Sequence, residues 1–232
     1  MKTRVLPECG KCSRKDRVCQ KRRGKGPDFC PTIRYRKTIA SSLSEYEKPS
    51  VREFARSASV QEAECYAHRD LQPYVLHPVK PRVQEICEFA KRMKYRKLGV
   101  AFCAGLHREA QSLTSILEAQ GFEVASVVCK VGGTPKEQIG IEEKEKIFIG
   151  QFESMCSPIV QAKILNEENT DFNILVGLCV GHDSLFFKYS DALTTVLVAK
   201  DRLLGHNPVA PLSTMGNYYA WLLRPGFDEP QK

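Results

Sequence analysis

Four cysteines near the amino terminus have the residue type and the spacing of a metal site. They are Cys9, Cys12, Cys19 and Cys30, in the pattern Cys-x2-Cys-x6-Cys-x10-Cys. The Cys-x2-Cys step lets both sulfurs of a tight turn reach one ion, and two further thiols complete a four-thiolate site. A segment this short and this poor in apolar residues needs a metal or disulfides to fold. We therefore predict a metal-binding module over residues 1–36, against the alternative of scattered thiols on a disordered basic tail.

The spacing of these cysteines bears on which metal they bind. Structural zinc ribbons usually carry two Cys-x2-Cys pairs, and only the first pair here has that spacing. An asymmetric set of four cysteines is compatible with a [4Fe–4S] cluster, which we predict as the cofactor, with zinc as the alternative.

The module is strongly basic. Residues 1–37 contain thirteen Lys or Arg against three acidic residues, an excess of ten, so the rest of the +8 chain carries about −2. The cations can neutralise a thiolate centre or contact the phosphates of nucleic acid. Because Phe29 and Tyr35 are the only aromatic residues among them, nucleic-acid binding is the second choice.

A second set of cysteines lies further along the chain: Cys103, Cys129, Cys156 and Cys179. Three of them end predicted strands, and Cys156 lies just before a helix that we predict to begin at Pro158. Because the carboxyl ends of parallel strands meet at one edge of a sheet, we expect these thiols to converge. The alternative is that they are independent loop thiols.

Four more residues are expected on the rim of this second site: His182, Asp183, Asp201 and His206. Histidine can ligate a metal or deliver protons near neutral pH. Asp183 has a simpler alternative role as the cap of the following helix.

The elements that must position these residues are typical of an α/β fold. Residues 97–232 predict a three-layer, mostly parallel sheet, Rossmann-like or flavodoxin-like, with strand order 2-1-3-4. Residues 37–96 predict a helical connector that packs on the core. Within it, Cys65 and Cys87 lie on helices and are interpreted as buried packing residues.

Composition limits the class of protein further. No run of the 232 residues approaches the roughly 18 apolar residues of a membrane span, and the first residues carry no apolar signal segment, so we predict a cytoplasmic protein with no membrane partner. Disulfides are rare in that compartment, so the ten cysteines favour metal ligation or redox chemistry.

Several segments together resemble one family, described as uncharacterised metal-binding proteins of archaea and anaerobic bacteria. The segments are residues 9–19, 101–103, 128–133, 155–159, 177–184 and 200–208, of which the last two are the most specific. One departure is Ser157, where an asparagine is expected. The resemblance implies metal binding and an anaerobic setting, and it supplies no reaction.

The sequence thus predicts a metal-binding, iron–sulfur protein with a redox or electron-transfer role and a redox partner protein. One alternative is a zinc-binding protein that recognises nucleic acid or has a regulatory role. The other is a thiol enzyme with Cys156 as its nucleophile, activated by a helix amino terminus.

Overall fold

The structure, a computed structural model, describes residues 5–226. The chain divides into two compact units, Met1–Glu64 and Cys65–Lys232. The domain boundaries expected at residues 36 and 96 stay predictions.

The first unit contains three helices after a series of turns. A 3-10 turn at Cys9–Lys11 is followed by α1 (Pro31–Arg34), α2 (Arg36–Leu43) and α3 (Pro49–Glu64). Before α1, the backbone is ordered by a bridge between Arg17 and Lys25, where the amide of Val18 donates to the Lys25 carbonyl at 3.0 Å. The cysteine-bearing part of this unit is therefore built mainly from turns.

The second unit is organised around a parallel sheet of four strands. The strands are β1 (Lys97–Phe102), β2 (Glu123–Val128), β3 (Phe172–Val176) and β4 (Thr194–Val198). Their order is β2-β1-β3-β4, and every neighbouring pair is parallel. The predicted α/β class and strand order are confirmed.

Helices cover both faces of this sheet. They are α4 (Arg82–Arg92), α5 (His107–Ala119), α6 (Pro158–Glu167) and α7 (His182–Tyr189). A short helix, α8 (Ala210–Ser213), follows β4 in the chain. The chain moves across the sheet in one direction from β1 to β2, and in the opposite direction from β2 to β3 and on to β4. Because the crossovers are right-handed, α5 lies on one face of the sheet and α6 and α7 lie on the other. On the face of α5, Phe89 of α4 packs 5.6 Å from the ring of Phe172. The result is the predicted three-layer arrangement.

The face that carries α6 and α7 holds the apolar cluster nearest to the predicted site. Ala101, Val127 and Leu175 point to this face from three neighbouring strands, and Leu165 of α6 and Phe186 of α7 pack on them. Since side chains alternate along a strand, the residues two places beyond Ala101 and Val127 point the same way. Those residues are Cys103 and Cys129.

Gly177 ends β3 earlier than the sequence predicts. The apolar run from 174 to 178 indicates a strand that stops at Cys179, but β3 ends at Val176. Gly177 has a φ of +64°, and a Cβ there would lie 2.0 Å from Leu106 Cδ1. Glycine is required by both conditions, and the chain turns out of the sheet three residues before Cys179.

Within residues 5–226, no helix combines the length and the apolar character needed to cross a membrane.

Candidate metal centre at the sheet edge

The register of β1 against β2 brings Cys103 and Cys129 together. Ala101 pairs with Val127 and Phe102 with Val128, so the next residues of both strands lie side by side. The amide of Cys129 donates to the Phe102 carbonyl at 2.8 Å, which continues the ladder past the last strand residue. Neighbouring strands are about 4.8 Å apart, and both side chains point to the same face, so the two thiols make contact.

Cys156 reaches the same place from the segment that leads into α6. The helix begins at Pro158, as predicted, and Ser157 is anchored by its amide, which donates to the Cys129 carbonyl at 2.7 Å. The Cys156 and Cys129 sulfurs are 3.8 Å apart. Cys103, Cys129 and Cys156 therefore converge, with Cys129 between the other two.

Gln161 positions this convergence, although the sequence analysis did not single it out. It is fully buried in the first turns of α6, and its amide nitrogen donates to the carbonyls of Phe102 at 3.2 Å and Val127 at 2.7 Å. These hydrogen bonds fix α6 to the ends of β1 and β2. A buried glutamine on an otherwise apolar helix face was the available sequence indication.

The three thiols differ in how readily they ionise. Hydrogen bonds with Cys103 and Cys156 raise the pKa of the buried Cys129 thiol, so it keeps its proton. The same hydrogen bond lowers the pKa of Cys103 to about 4, against the opposing effect of burial, with help from the Gly105 amide and the Lys200 ammonium. Cys129 likewise lowers the pKa of Cys156 to about 5, helped by Lys130 and His182. One protonated thiol is flanked by two thiolates.

Three cations beside the thiols were also missed by the sequence analysis. Lys200 lies against Cys103 and packs beside Gly105 and Gly177. Arg202 donates to the Cys179 sulfur at 2.9 Å, and Lys130 donates to the Ser154 carbonyl next to Cys156. Lys200 and Arg202 follow the end of β4 at Val198, and they lie in the 200–208 segment of the family resemblance, but neither observation predicted a contact with the thiols.

Cys179 and the predicted rim residues have other contacts. Cys179 lies before α7, and its carbonyl accepts from the His182 amide at 2.9 Å. Among the rim residues, His182 acts on Cys156 electrostatically. Asp183 accepts from the amides of Gly181 and Ser184 in the first turn of α7, but the residue at the cap position is Gly181, so Asp183 does not cap the helix as the simpler alternative expected. Asp201 accepts from two amides of the following turn, and its own amide donates to His206 Nδ1 at 3.2 Å.

The thiols at this edge are suitable ligands for a soft metal ion, but they do not surround one common point. Thiolates are the ligands that zinc and iron–sulfur clusters prefer. Among residues 5–226, however, no three His, Cys, Asp or Glu side chains are arranged to hold a metal ion as they stand.

The four cysteines of the first unit are arranged differently. Cys9, Cys12, Cys19 and Cys30 all line one cavity of about 130 Å³. Gly26 forms its wall, because a Cβ there would lie 2.9 Å from the Cys30 sulfur. Cys30 is buried, and Cys9 and Cys19 are exposed.

Fold and site together define an α/β protein whose parallel sheet gathers thiols at its carboxyl edge. Residues 30–197 match the family model described as protein of unknown function (DUF1847), and the chain belongs to that family. It is 46% identical over 169 residues to an uncharacterized protein of Methanocaldococcus jannaschii, MJ0455, over 73% of this chain and 83% of that protein. No solved structure matches the chain.

The family match separates the two sets of cysteines. The matched residues include the four cysteines predicted at the sheet edge, Cys103, Cys129, Cys156 and Cys179. The match begins at Cys30, so the other three amino-terminal cysteines lie outside it. The resemblance to a family of unknown function is confirmed, and metal binding stays a prediction.

Proposed function

We propose that this chain is a metal-binding protein with a redox or electron-transfer role, and that its working centre lies at the carboxyl edge of the sheet. The observation that carries the proposal is the 3.8 Å separation of the Cys129 and Cys156 sulfurs, with Cys103 hydrogen-bonded to Cys129. Three thiols from three separate segments meet where ligands bind in open parallel sheets.

The separation of the sulfurs bears on which metal fits. Two thiolates about 2.3 Å from one tetrahedral ion lie roughly 3.8 Å apart, whereas a cubane cluster spreads its cysteine sulfurs to about 6–7 Å. The Cys129–Cys156 pair therefore suits a single ion such as zinc without movement, and a cluster requires the sulfurs to separate. Cys103, Cys129, Cys156 and Cys179 would hold the group, and an iron–sulfur cluster bound there would supply one-electron transfer.

The residues around the thiols support an anionic centre. Lys200, Arg202 and Lys130 bring three positive charges to the edge where Cys103 and Cys156 are thiolates. Beneath the sulfurs, the apolar cluster around Ala101 and Phe186 excludes water and lowers the local dielectric.

The first unit supports a second, structural or relay site. All four of its cysteines line one cavity, and the backbone around them consists largely of turns. Metal bound by these thiols would supply the cross-links that such a segment lacks.

Metal analysis and an absorption spectrum of protein purified without exposure to air test the proposal. We expect bound iron or zinc in the wild-type protein, and a lower metal content in Cys129→Ala, which should lose the metal bound at the sheet edge. Cys87→Ala is the matched control, because Cys87 is also buried but lies in α4, away from the thiol cluster. Unchanged metal content in Cys129→Ala, or metal-free wild-type protein, would contradict it.

A second candidate function is thiol–disulfide exchange, which the same sulfur separation and the lowered pKa of Cys156 favour. The Cys156 thiolate would attack a small disulfide RSSR and expel RS⁻. The Cys129 sulfur would then attack the mixed disulfide, giving a Cys129–Cys156 disulfide and a second thiol RSH. In total, one thiol and one thiolate are oxidised and RSSR is reduced. Peptide mass spectrometry after treatment with oxidised glutathione should find this disulfide in metal-free protein, and its absence would exclude the candidate.

A further inference from the structure

The loop between β2 and α6 is closed at its base by a short antiparallel ladder. Pro135 and Ser154 form the bridge, the Met155 amide donates to the Thr134 carbonyl at 2.8 Å, and the Lys136 amide donates to the Glu153 carbonyl at 3.0 Å. Its two ends carry Cys129 and Cys156, so the loop begins and ends at the thiol edge. Residues 137–152 form the closed part, called the crossover loop below.

One charged residue, Lys146, is buried within the crossover loop, and Glu153 is buried at its base. Lys146 is 8% exposed, and its ammonium contacts the carboxylates of Glu137 at 2.6 Å and Glu143 at 2.7 Å. Glu153, at the base, is 7% exposed; it pairs with Lys136 and accepts from the amides of Ile147 and Phe148. Burying charges has a desolvation cost that these contacts offset, so the loop has a defined internal structure.

The apolar residues of the same loop point outward. Ile147, Phe148, Ile149 and Phe152 are between 57% and 72% exposed. The loop therefore has the reverse of the usual arrangement, with charge inside and apolar side chains in water. Because its internal ion pairs fix the backbone, the exposed residues belong to an ordered surface.

The area of this surface lies within the range of the largest apolar patch on a typical monomer. A large apolar side chain presents on the order of 200 Å² when fully exposed, so the four residues present about 500 Å². The largest apolar patch on a typical monomer measures about 300–600 Å² and is often functional. A standard interface takes about 800 Å² from each partner, so this patch supplies most of one side.

We propose that the crossover loop is a dimer interface, and that a second copy of this chain covers Ile147, Phe148, Ile149 and Phe152 through a twofold contact. The patch consists of Ile and Phe only, and homodimer interfaces are more apolar than interfaces between transient partners. In the same loop, the exposed side chains of Lys144 and Glu142 form an ion pair with each other at 2.7 Å. Because these charges are already paired within one copy, they bring no unpaired charge to a twofold contact.

Charge argues against a membrane as the occupant. Residues 136–153 contain five Glu and three Lys, a net charge of −2. An anionic membrane surface repels such a loop, whereas membrane-binding loops pair apolar residues with cations.

Light scattering and sedimentation of the purified full-length chain test the proposal. Wild-type protein at tens of micromolar should have twice the 26.2-kDa chain mass. Phe148→Glu with Phe152→Glu should weaken the dimer at least about 100-fold, since both substitutions place charge in the centre of the contact. Val75→Glu is the control, because Val75 is 78% exposed and lies outside the loop. Circular dichroism checks that each variant is folded.

Several outcomes would overturn it. They are a monomeric wild type, a double variant that dimerises as tightly as wild type, a Val75→Glu variant that dissociates equally, or an open series of species larger than a dimer. Monomeric wild type that co-sediments with phosphatidylcholine vesicles through Phe152 would assign the patch to lipid instead. None of these results depends on bound metal, so they leave the proposed function untouched.

Discussion

The cysteines at the sheet edge and the cysteines near the amino terminus are brought together in two different ways. At the sheet edge, strand register, the α6 anchor and Gln161 bring Cys103, Cys129 and Cys156 together through buried hydrogen bonds. In the first unit, four cysteines line a cavity within a segment made largely of turns. One set of thiols is positioned by strand register and buried hydrogen bonds, whereas the other set lies among turns. If the proposed metal binds there, it would order the turns.

Metal removal from the amino-terminal module should give the largest effect. Structural zinc in small modules contributes about 10 kcal/mol or more of folding free energy, so Cys12→Ser or a chelator should unfold residues 1–36. Limited proteolysis should then cleave this segment at least about 100-fold faster, while the sheet stays intact. Equal protection with and without metal would remove the contrast between the two sets of cysteines.

The second largest effect is expected on the pKa of Cys156 when Cys129 is replaced. In metal-free wild-type protein, alkylation of Cys156 should reach half its maximum near pH 5, the lowered pKa. Cys129→Ala removes the S–H donor that stabilises the thiolate, so the midpoint should rise by about two units or more toward the ordinary value near 9.

Peptide mass spectrometry of iodoacetamide adducts between about pH 4 and pH 9 measures this midpoint. Cys87 is the internal reference, since burial raises its pKa and it should react slowly throughout. An unchanged midpoint in Cys129→Ala would show that the thiol contact does not set the ionisation of Cys156.

Gln161→Leu should have a moderate effect on stability. It removes two buried hydrogen bonds, one to the Val127 carbonyl and one to the Phe102 carbonyl, which also accepts from the Cys129 amide. The free energy of unfolding should fall by about 1–3 kcal/mol. Urea denaturation measures this, with Gln111→Leu on the exposed side of α5 as the control. If both variants lose the same stability, Gln161 has no special positioning role.

The smallest effect is expected from reversing exposed charges in the module. Changing Lys21, Arg22 and Arg23 together to Glu should weaken metal retention several-fold, because exposed charges act through screened electrostatics. Competition with a colorimetric chelator measures retention. Tight, steeply salt-dependent binding of wild-type protein to DNA or RNA would favour the nucleic-acid alternative instead.

Local patterns were sufficient to predict the sheet and the thiols that follow β1 and β2. The apolar runs before Cys103 and Cys129 predicted the strands. Their order followed from pairing the two strands of the βαβ unit and placing the Cys179 strand on the other side of the Cys103 strand. The roles of Lys200 and Arg202 could not be predicted, because they depend on how the chain turns after β4. The inverted crossover loop was also missed, since its charges and apolar residues alternate without a regular period.

X-ray absorption at the metal edge is the sharpest test of a thiolate centre at the sheet edge. The sample is the 232-residue chain carrying Cys12→Ser, a substitution chosen to remove metal from the proposed amino-terminal site so that the proposed sheet-edge site is measured alone. We predict at least three sulfur neighbours at about 2.3 Å from the metal, and loss of that sulfur shell when Cys129→Ala is added. A shell of nitrogen and oxygen alone, no bound metal, or a sulfur shell that survives Cys129→Ala would contradict the account.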